Sequence, residues 1–142
     1  MHRFVVLCVI ILCYLTAVGE PLNKLKIIEL RAGNGQAIAS KQRLRAHFKV
    51  WLYDETKPEN KGTLIDNSYV AKKPVLFDPS EKKILPGLVL GIQGMKVAEK
   101  RRILIPANLA YGEHEEGIIP KSSDLVYEIE IIDVLEDQKE NK

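Results

Sequence analysis

Cysteine is almost absent from this chain of 142 residues, and its placement is uneven. The only two cysteines are Cys8 and Cys13, close to the amino terminus. If that segment is removed, the mature chain has no cysteine. This excludes a disulfide, a thiol nucleophile and a zinc–thiolate site. The mature chain is expected to rely on its hydrophobic core alone, and its length is sufficient for one domain.

The amino-terminal segment itself predicts a secretory signal peptide over residues 1–19. It begins with the basic Arg3, continues with an unbroken apolar run over residues 4–15, and ends in small residues before Glu20. The run has the length of a signal-peptide core and is short for a bilayer-spanning helix. An uncleaved anchor is the alternative. Cleavage before Glu20 would place the protein in the secretory pathway: a periplasm, an endoplasmic reticulum lumen or the outside of a cell.

Charge and histidine are also limited. The net charge is only +2, and no long block of one sign occurs, which argues against a nucleic-acid partner. The phosphate-binding glycine loop, the HExxH helix and the Gly-x-Ser-x-Gly elbow are all absent. His47 and His114 are predicted to be solvated rather than catalytic. The sequence therefore indicates no metal or cofactor site.

Apolar periodicity predicts an α+β domain over residues 20–136, followed by a polar tail over residues 137–142. Residues 43–53 alternate strictly, as expected for a half-buried antiparallel strand. The other predicted elements are strands at residues 24–31, 63–70, 73–77, 99–106 and 125–135, a turn at residues 33–35, and one glycine-containing helix within the apolar stretch 84–95, with Pro86 in its first turn. This predicts an antiparallel sheet, or half-barrel, wrapped around one short helix.

The second half of the chain carries the most specific motifs. These are GLVLGIQGM at residues 87–95, EKR at residues 99–101, AYG at residues 110–112, GIIP at residues 117–120 and LVYE at residues 125–128. In this order and spacing they closely resemble the FKBP-type peptidyl-prolyl cis-trans isomerases. The resemblance implies a proline-binding pocket and an isomerase that needs no cofactor, metal, acid, base or nucleophile. Its partners would be polypeptides that contain proline.

The same resemblance assigns roles to ten residues. Asp66 matches the carboxylate of the pocket, and Tyr111 matches a tyrosine whose hydroxyl bonds a substrate carbonyl; these two are the predicted catalytic residues. The predicted substrate-binding residues are Phe48, Ile65, Val75, Ile84, Leu85, Leu88, Ile119 and Tyr127. Asp66 in a turn, and the apolar residues in an ordinary core, are the alternative interpretations.

Several of these positions depart from the pattern of the family. Phe48 replaces a tyrosine, Ile65 and Val75 replace aromatic residues, and Leu88 stands where the family has the tryptophan of the pocket floor. The resemblance therefore implies a wider pocket, reduced isomerase activity and poor affinity for macrolides. The alternative function is a non-catalytic chaperone or protein-binding module of the same fold. An unrelated α+β protein with chance similarity is a third interpretation. The expected form is a monomer with no stable membrane insertion after cleavage.

Overall fold

A computed structural model describes residues 22–136. The predicted signal peptide (residues 1–19) and the predicted polar tail (residues 137–142) lie outside these residues. In the described part of the chain, no helix is long and apolar enough to cross a membrane. The predicted domain is thus described from its third residue to its end.

One antiparallel sheet of six strands forms most of the domain. Its strands are β1 (Lys26–Arg31), β3 (Leu44–Tyr53), β4 (Lys61–Asn67), β5 (Val75–Phe77), β7 (Lys100–Ile105) and β8 (Leu125–Val134). A smaller sheet pairs β2 (Asn34–Ala37) with β6 (Lys96–Val97), and the helix α1 covers Pro86–Ile92. The order in the large sheet is β1-β7-β8-β3-β4, and β5 also pairs with β3. The predicted fold class, an antiparallel sheet around one short helix, is confirmed.

The strand β3 has the period of two that the sequence predicts. Leu44, Ala46 and Val50 are buried on its inner face, whereas Arg45 points outward and is exposed. The reason is that successive side chains of a strand leave opposite faces of the sheet. The neighbouring strand β8 runs antiparallel, with Ala46 opposite Ile131. The inner faces of both strands form the core on which α1 packs.

Two glycines allow α1 to lie close to β7. A side-chain carbon added at Gly91 would come within 2.5 Å of Ile103, and one added at Gly87 within 2.4 Å of Ile105. Glycine costs a helix about 1 kcal/mol relative to alanine, so tight packing compensates for its use here. Arg101 donates from Nη1 to the carbonyl of Gly91 at 2.9 Å. This bond ties the end of the helix to β7.

The outer face of the sheet carries a buried ionic cluster. The carboxylate of Glu128, on β8, accepts a hydrogen bond from Arg102 at 2.8 Å and lies 2.7 Å from Nζ of Lys61. Glu128 is only 7% exposed, although the alternation of its strand correctly places it on the polar face. Lys61 Nζ also lies 4.6 Å from the ring centre of Trp51. The cluster therefore joins strands β3, β4, β7 and β8 from the outside.

Two sequence predictions of local structure are wrong in their bounds. α1 ends at Ile92 rather than at residue 95, because Gly94 has a φ of +70°, outside the α-helical region. It begins at Pro86, the residue that the sequence places in the first turn. The predicted turn at residues 33–35 is partly strand, since Asn34–Ala37 pairs with β6.

Candidate active site

The site lies where one edge of β3 changes its partner. β4 pairs with β3 up to Asn67, and β5 pairs with the same edge from Val75. Between these two pairings, the side chain of Ser68 forms hydrogen bonds with the backbone of β3. Its Oγ accepts from the N–H of Phe48 at 2.8 Å and donates to the carbonyl of Phe48 at 3.2 Å. This break in the sheet edge leaves the ring of Phe48 beside two hollows.

The two hollows share one wall. The first, the helix-side hollow, has a volume of about 240 Å³ and is lined by Phe48, Val75, Leu76, Phe77, Lys83, Ile84, Leu85, Leu88, Tyr111 and Tyr127. The second, the loop-side hollow, has a volume of about 280 Å³ and is lined by Phe48, Val50, Ile65, Asp66, Tyr111, Glu116, Gly117, Ile118, Ile119 and Tyr127. Phe48, Tyr111 and Tyr127 belong to both, so the hollows are adjacent parts of one candidate site.

All ten residues that the resemblance assigns to the site line these hollows. Val75, Ile84, Leu85 and Leu88 lie in the helix-side hollow, and Ile65, Asp66 and Ile119 lie in the loop-side hollow. The remaining three form the shared wall. The structure thus brings together residues that come from four strands, one helix and two loops, while their catalytic and substrate-binding roles stay predictions.

The shared wall and the floor are apolar. Phe48 contacts Phe77 edge-to-face, with ring centres 5.8 Å apart, and lies 6.0 Å from the ring of Tyr127. Leu88 of α1 is 3% exposed and closes the helix-side hollow. Trp51 packs against Leu104 and Val126 in a separate outer cluster. An aliphatic floor under aromatic walls can accept a small apolar ring such as that of proline.

A tight loop positions the remaining wall residues. The N–H of Gly112 donates to the carbonyl of Ala107 at 2.8 Å, which fixes the chain directly after Tyr111. Glu116 and Ile119 exchange two backbone hydrogen bonds of 3.0 and 2.8 Å. This pairing turns the buried side chain of Ile119 into the loop-side hollow. The AYG and GIIP motifs therefore place a phenol and an aliphatic side chain on the same wall.

The phenols of the site are held in their neutral form. Burial, with a contribution from the charge of Glu116, raises the pKa of Tyr111 above its ordinary value. Burial, assisted by Tyr111 and Asp66, raises the pKa of Tyr127 strongly. Both hydroxyls are therefore hydrogen-bond donors at neutral pH. The carboxylate of Asp66 is exposed, and its Oδ1 accepts from the N–H of Asn67 at 2.7 Å, which fixes its direction.

Other residues of the site were not assigned from the sequence. They are Val50, Leu76, Phe77, Lys83, Glu116, Gly117 and Ile118. Phe77 follows an extended segment and looked like ordinary core, which it also is. Glu116, Gly117 and Ile118 belong to the loop that carries the GIIP motif, so the motif itself indicated their position.

The environment of His47 differs from the solvated one that the sequence predicts. Its ring stacks on Tyr69 with centres 4.4 Å apart, and its Nδ1 lies 3.0 Å from Oγ of Ser68. The hydroxyl of Tyr69 donates to Glu130 at 2.8 Å. His47 thus contacts Ser68, the residue between the β4 and β5 pairings, from the outer face of the sheet. His114 is exposed in its loop, as expected.

The fold and the site define a class of protein: a half-barrel that holds an apolar hollow over one short helix. Among solved structures, the chain is similar to FkpA from Escherichia coli, with a TM-score of 0.66 and 31% identity. That similarity covers 78% of this chain and 47% of the solved one.

The family model described as FKBP-type peptidyl-prolyl cis-trans isomerase matches residues 34–132. The chain therefore belongs to the family of FKBP-type peptidyl-prolyl cis-trans isomerases. It is 43% identical over 74 residues to peptidyl-prolyl cis-trans isomerase FPR2 of Saccharomyces cerevisiae, a match that covers 51% of this chain and 55% of the relative. It is 32% identical to FK506-binding protein 2 of Yarrowia lipolytica, with 94% of each chain covered.

Proposed function

We propose that this protein catalyses cis-trans isomerisation of X-Pro bonds in exported polypeptides. The observation that carries the proposal is the pair of adjacent hollows that share Phe48, Tyr111 and Tyr127, one of which is also lined by Leu88. Membership of the family supports the reaction class. The match spans about half of the first of the relatives given above, so the activity and the substrates are proposed for this chain rather than transferred to it.

The chemistry requires only non-covalent binding. The barrier to rotation about a peptide bond, about 18–20 kcal/mol, arises from amide resonance. A dry apolar hollow binds the twisted, less dipolar amide more strongly than the planar one, which lowers the barrier. For X-Pro bonds the two isomers differ by only about 0.5–1 kcal/mol, so no energy source is needed.

The polar groups of the site would orient the substrate. The neutral hydroxyl of Tyr111 would donate to a carbonyl of the bound chain. The carboxylate of Asp66, fixed by the N–H of Asn67, would attract the electron-poor carbonyl carbon of the reacting amide. The proline ring would lie between Phe48 and the floor at Leu88. These roles follow the resemblance position by position, and the position of all four side chains along the two adjacent hollows supports them.

Export is part of the proposal because of the predicted signal peptide. Expression of the full chain with a carboxyl-terminal tag, followed by mass measurement of the exported product, tests it. A product that begins at Glu20 supports the proposal. A product that retains residues 1–19 in the membrane fraction would favour the anchor instead.

The reaction is tested by refolding a protein whose slow phase is limited by prolyl isomerisation. The purified protein should accelerate that phase, Asp66→Ala and Tyr111→Phe should slow the catalysed rate by about threefold to tenfold, and Tyr53→Phe should not. Tyr53 is a suitable control because it packs on the outer cluster, away from the site. No acceleration by the wild type would end the enzyme proposal. Acceleration that both site variants retain would end the residue assignment.

A second function, polypeptide binding without efficient turnover, is favoured by specific residues. Leu88 and Val75 are aliphatic, so the hollow offers less aromatic surface to a proline ring. The rim also exposes Leu76 and Ile118, with 52% and 67% of their surfaces accessible. Exposed apolar side chains around a hollow suit extended, unfolded chains. Suppression of aggregation of a proline-free unfolded protein, without any acceleration of refolding, would indicate this function.

A further inference from the structure

The loop-side hollow has a chemical character that the isomerase proposal does not use. Two of its lining residues are acidic, Asp66 from β4 and Glu116 from the opposite loop. Neither carboxylate has a lysine or arginine nitrogen within 4.0 Å among residues 22–136. None of the other side chains that line this hollow is charged. The hollow therefore presents two carboxylates to any ligand.

The walls between the carboxylates are aliphatic. Ile65 is half-buried beside Asp66, and Ile118 is 67% exposed beside Gly117. A long basic side chain matches this combination, since it packs its methylene stem on apolar surface and keeps its charged end near acids. An acidic side chain would be repelled, and a short neutral one would contact neither feature.

The field of the carboxylates reaches the wall that both hollows share. Burial is the main cause of the raised pKa of Tyr111, and the charge of Glu116 adds to it. Asp66 contributes in the same sense at Tyr127, after burial and Tyr111. At the far end of the site, Lys83 lines the helix-side hollow. Lys83 is paired with Glu81 at 2.7 Å, so its charge is offset, and the loop-side hollow is the acidic part of the site.

We propose that the loop-side hollow is a specificity subsite that selects X-Pro segments with a lysine or arginine next to the proline. This inference rests on the proposed isomerase function for the position of the proline, in the helix-side hollow. Glu116 binds the cationic group, the negative charge of Asp66 adds to the attraction from a distance, and Ile65 and Ile118 contact the stem. Glu116 is a specificity-determining residue, distinct from the residues assigned to rotation of the amide.

The test uses short peptides that differ only beside the proline. One series carries lysine, glutamine or glutamate directly before the proline, and a second series carries them directly after it. Exchange spectroscopy by NMR measures the cis-trans rate of each peptide without a coupled protease. In one of the two series, lysine should exceed glutamine by about fivefold at low salt, and glutamate should fall below glutamine. The preference should shrink at high ionic strength because exposed charges are screened.

Two variants of the same loop locate the effect. Glu116→Gln should reduce the ratio of the lysine rate to the glutamine rate by at least about twofold. Glu115→Gln removes the same charge from a neighbouring exposed position that does not line the hollow, and it should retain most of the ratio. Rates that are equal for lysine, glutamine and glutamate in both series would overturn the proposal. Equal loss of preference in the two variants would also overturn it, by showing a general effect of loop charge.

Binding separates this inference from the isomerase proposal. NMR titration of the same peptides measures their affinities whether or not catalysis occurs. If no peptide is isomerised but lysine peptides bind more tightly than glutamate peptides, the subsite stands and the enzyme proposal fails. If the peptides are isomerised and bound without regard to charge, the enzyme proposal stands and the subsite fails.

Discussion

Ser68 forms two hydrogen bonds with the backbone of Phe48, one to its N–H at 2.8 Å and one to its carbonyl at 3.2 Å. A side chain thus replaces a strand at the point on this edge of β3 between its pairing with β4 and its pairing with β5. Ser68 is 6% exposed, so water cannot substitute for its hydroxyl without rearrangement. Ser68 therefore helps to fix the backbone of Phe48, whose ring forms part of the shared wall.

Ser68→Ala should therefore destabilise the domain and the site together. It leaves the N–H of Phe48 without its acceptor, a loss of about 1–3 kcal/mol in the free energy of unfolding. Urea denaturation measures the free energy of unfolding, and the refolding assay described above measures the activity of the site. Ser80→Ala is the matched control, because the Ser80 hydroxyl bonds only Asp78 in an exposed turn. An equal loss of stability in Ser68→Ala and Ser80→Ala would show that the hydrogen bonds of Ser68 to β3 contribute no more than those of an exposed turn.

Gly91→Ala should be destabilising although alanine is the better helix former. The gain in helix propensity is about 1 kcal/mol, but the added carbon would lie 2.5 Å from Ile103. Overpacking of a core costs about 1–3 kcal/mol, so a net loss of stability is expected. Thermal or urea unfolding of Gly91→Ala, Ile103→Ala and the double variant measures the coupling. Strict additivity of the two single losses would contradict this packing account.

Leu88→Trp should restore an aromatic floor to the helix-side hollow. The hollow of about 240 Å³ above Leu88 offers space for the larger ring. We expect the wild type to bind FK506, the compound named in one relative, only weakly, and Leu88→Trp to bind it at least about tenfold more tightly. An NMR titration measures both affinities. Leu90→Trp, on the exposed side of the same helix, is the control. Nanomolar binding by the wild type would refute the importance of Leu88.

Acidification should weaken the fold through Glu128. Burial alone would favour the neutral carboxyl, but the hydrogen bonds from Lys61 and Arg102 prevail and lower its pKa below the ordinary value of 4.5. A carboxyl with a lowered folded-state pKa contributes stability above its unfolded-state pKa and loses it as the pH falls through the folded value. Melting temperatures should therefore decline as the pH drops below 4.5.

Glu128→Gln should be less stable at neutral pH, because Lys61 and Arg102 lose a charged partner, and its melting temperature should decline less on acidification. Parallel melts of the two proteins between neutral and acidic pH provide the comparison. If the melting temperatures of the two proteins decline equally with falling pH, other carboxylates dominate the loss of stability in acid.

Periodicity and motifs predicted most of the fold, because both depend on residues that are close together in the sequence. The alternation of residues 43–53 required a half-buried strand, and β3 covers nearly the same residues. The glycines of residues 84–95 predicted a helix held by packing, and Gly87 and Gly91 indeed allow contact with β7. The end of that helix was placed too late, since Gln93 already leaves the helical region and Gly94 follows it with a positive φ, as glycine often does after a helix.

The features that the sequence did not reveal depend on distant residues. The alternation of its strand indicated only that Glu128 faces outward. Its ion pairs with Lys61 and Arg102, which lie on two other strands, could not be read from the sequence. The sequence likewise predicted a solvated His47, whereas in the structure its ring contacts Tyr69 and Ser68. The ten site residues could be assigned because the resemblance supplied their positions; no spacing rule connects Phe48 with Tyr111.

The position of β8 in the sheet has a consequence for synthesis. This last strand lies between β3 and β7, so it joins two parts of the sheet that have no direct pairing with each other. It also supplies Tyr127, a wall residue of both hollows. A chain emerging from its amino terminus therefore has no complete pocket until the residues of β8 are available. Non-local pairing of this kind folds slowly, so the nascent chain must complete its own folding before it can bind another.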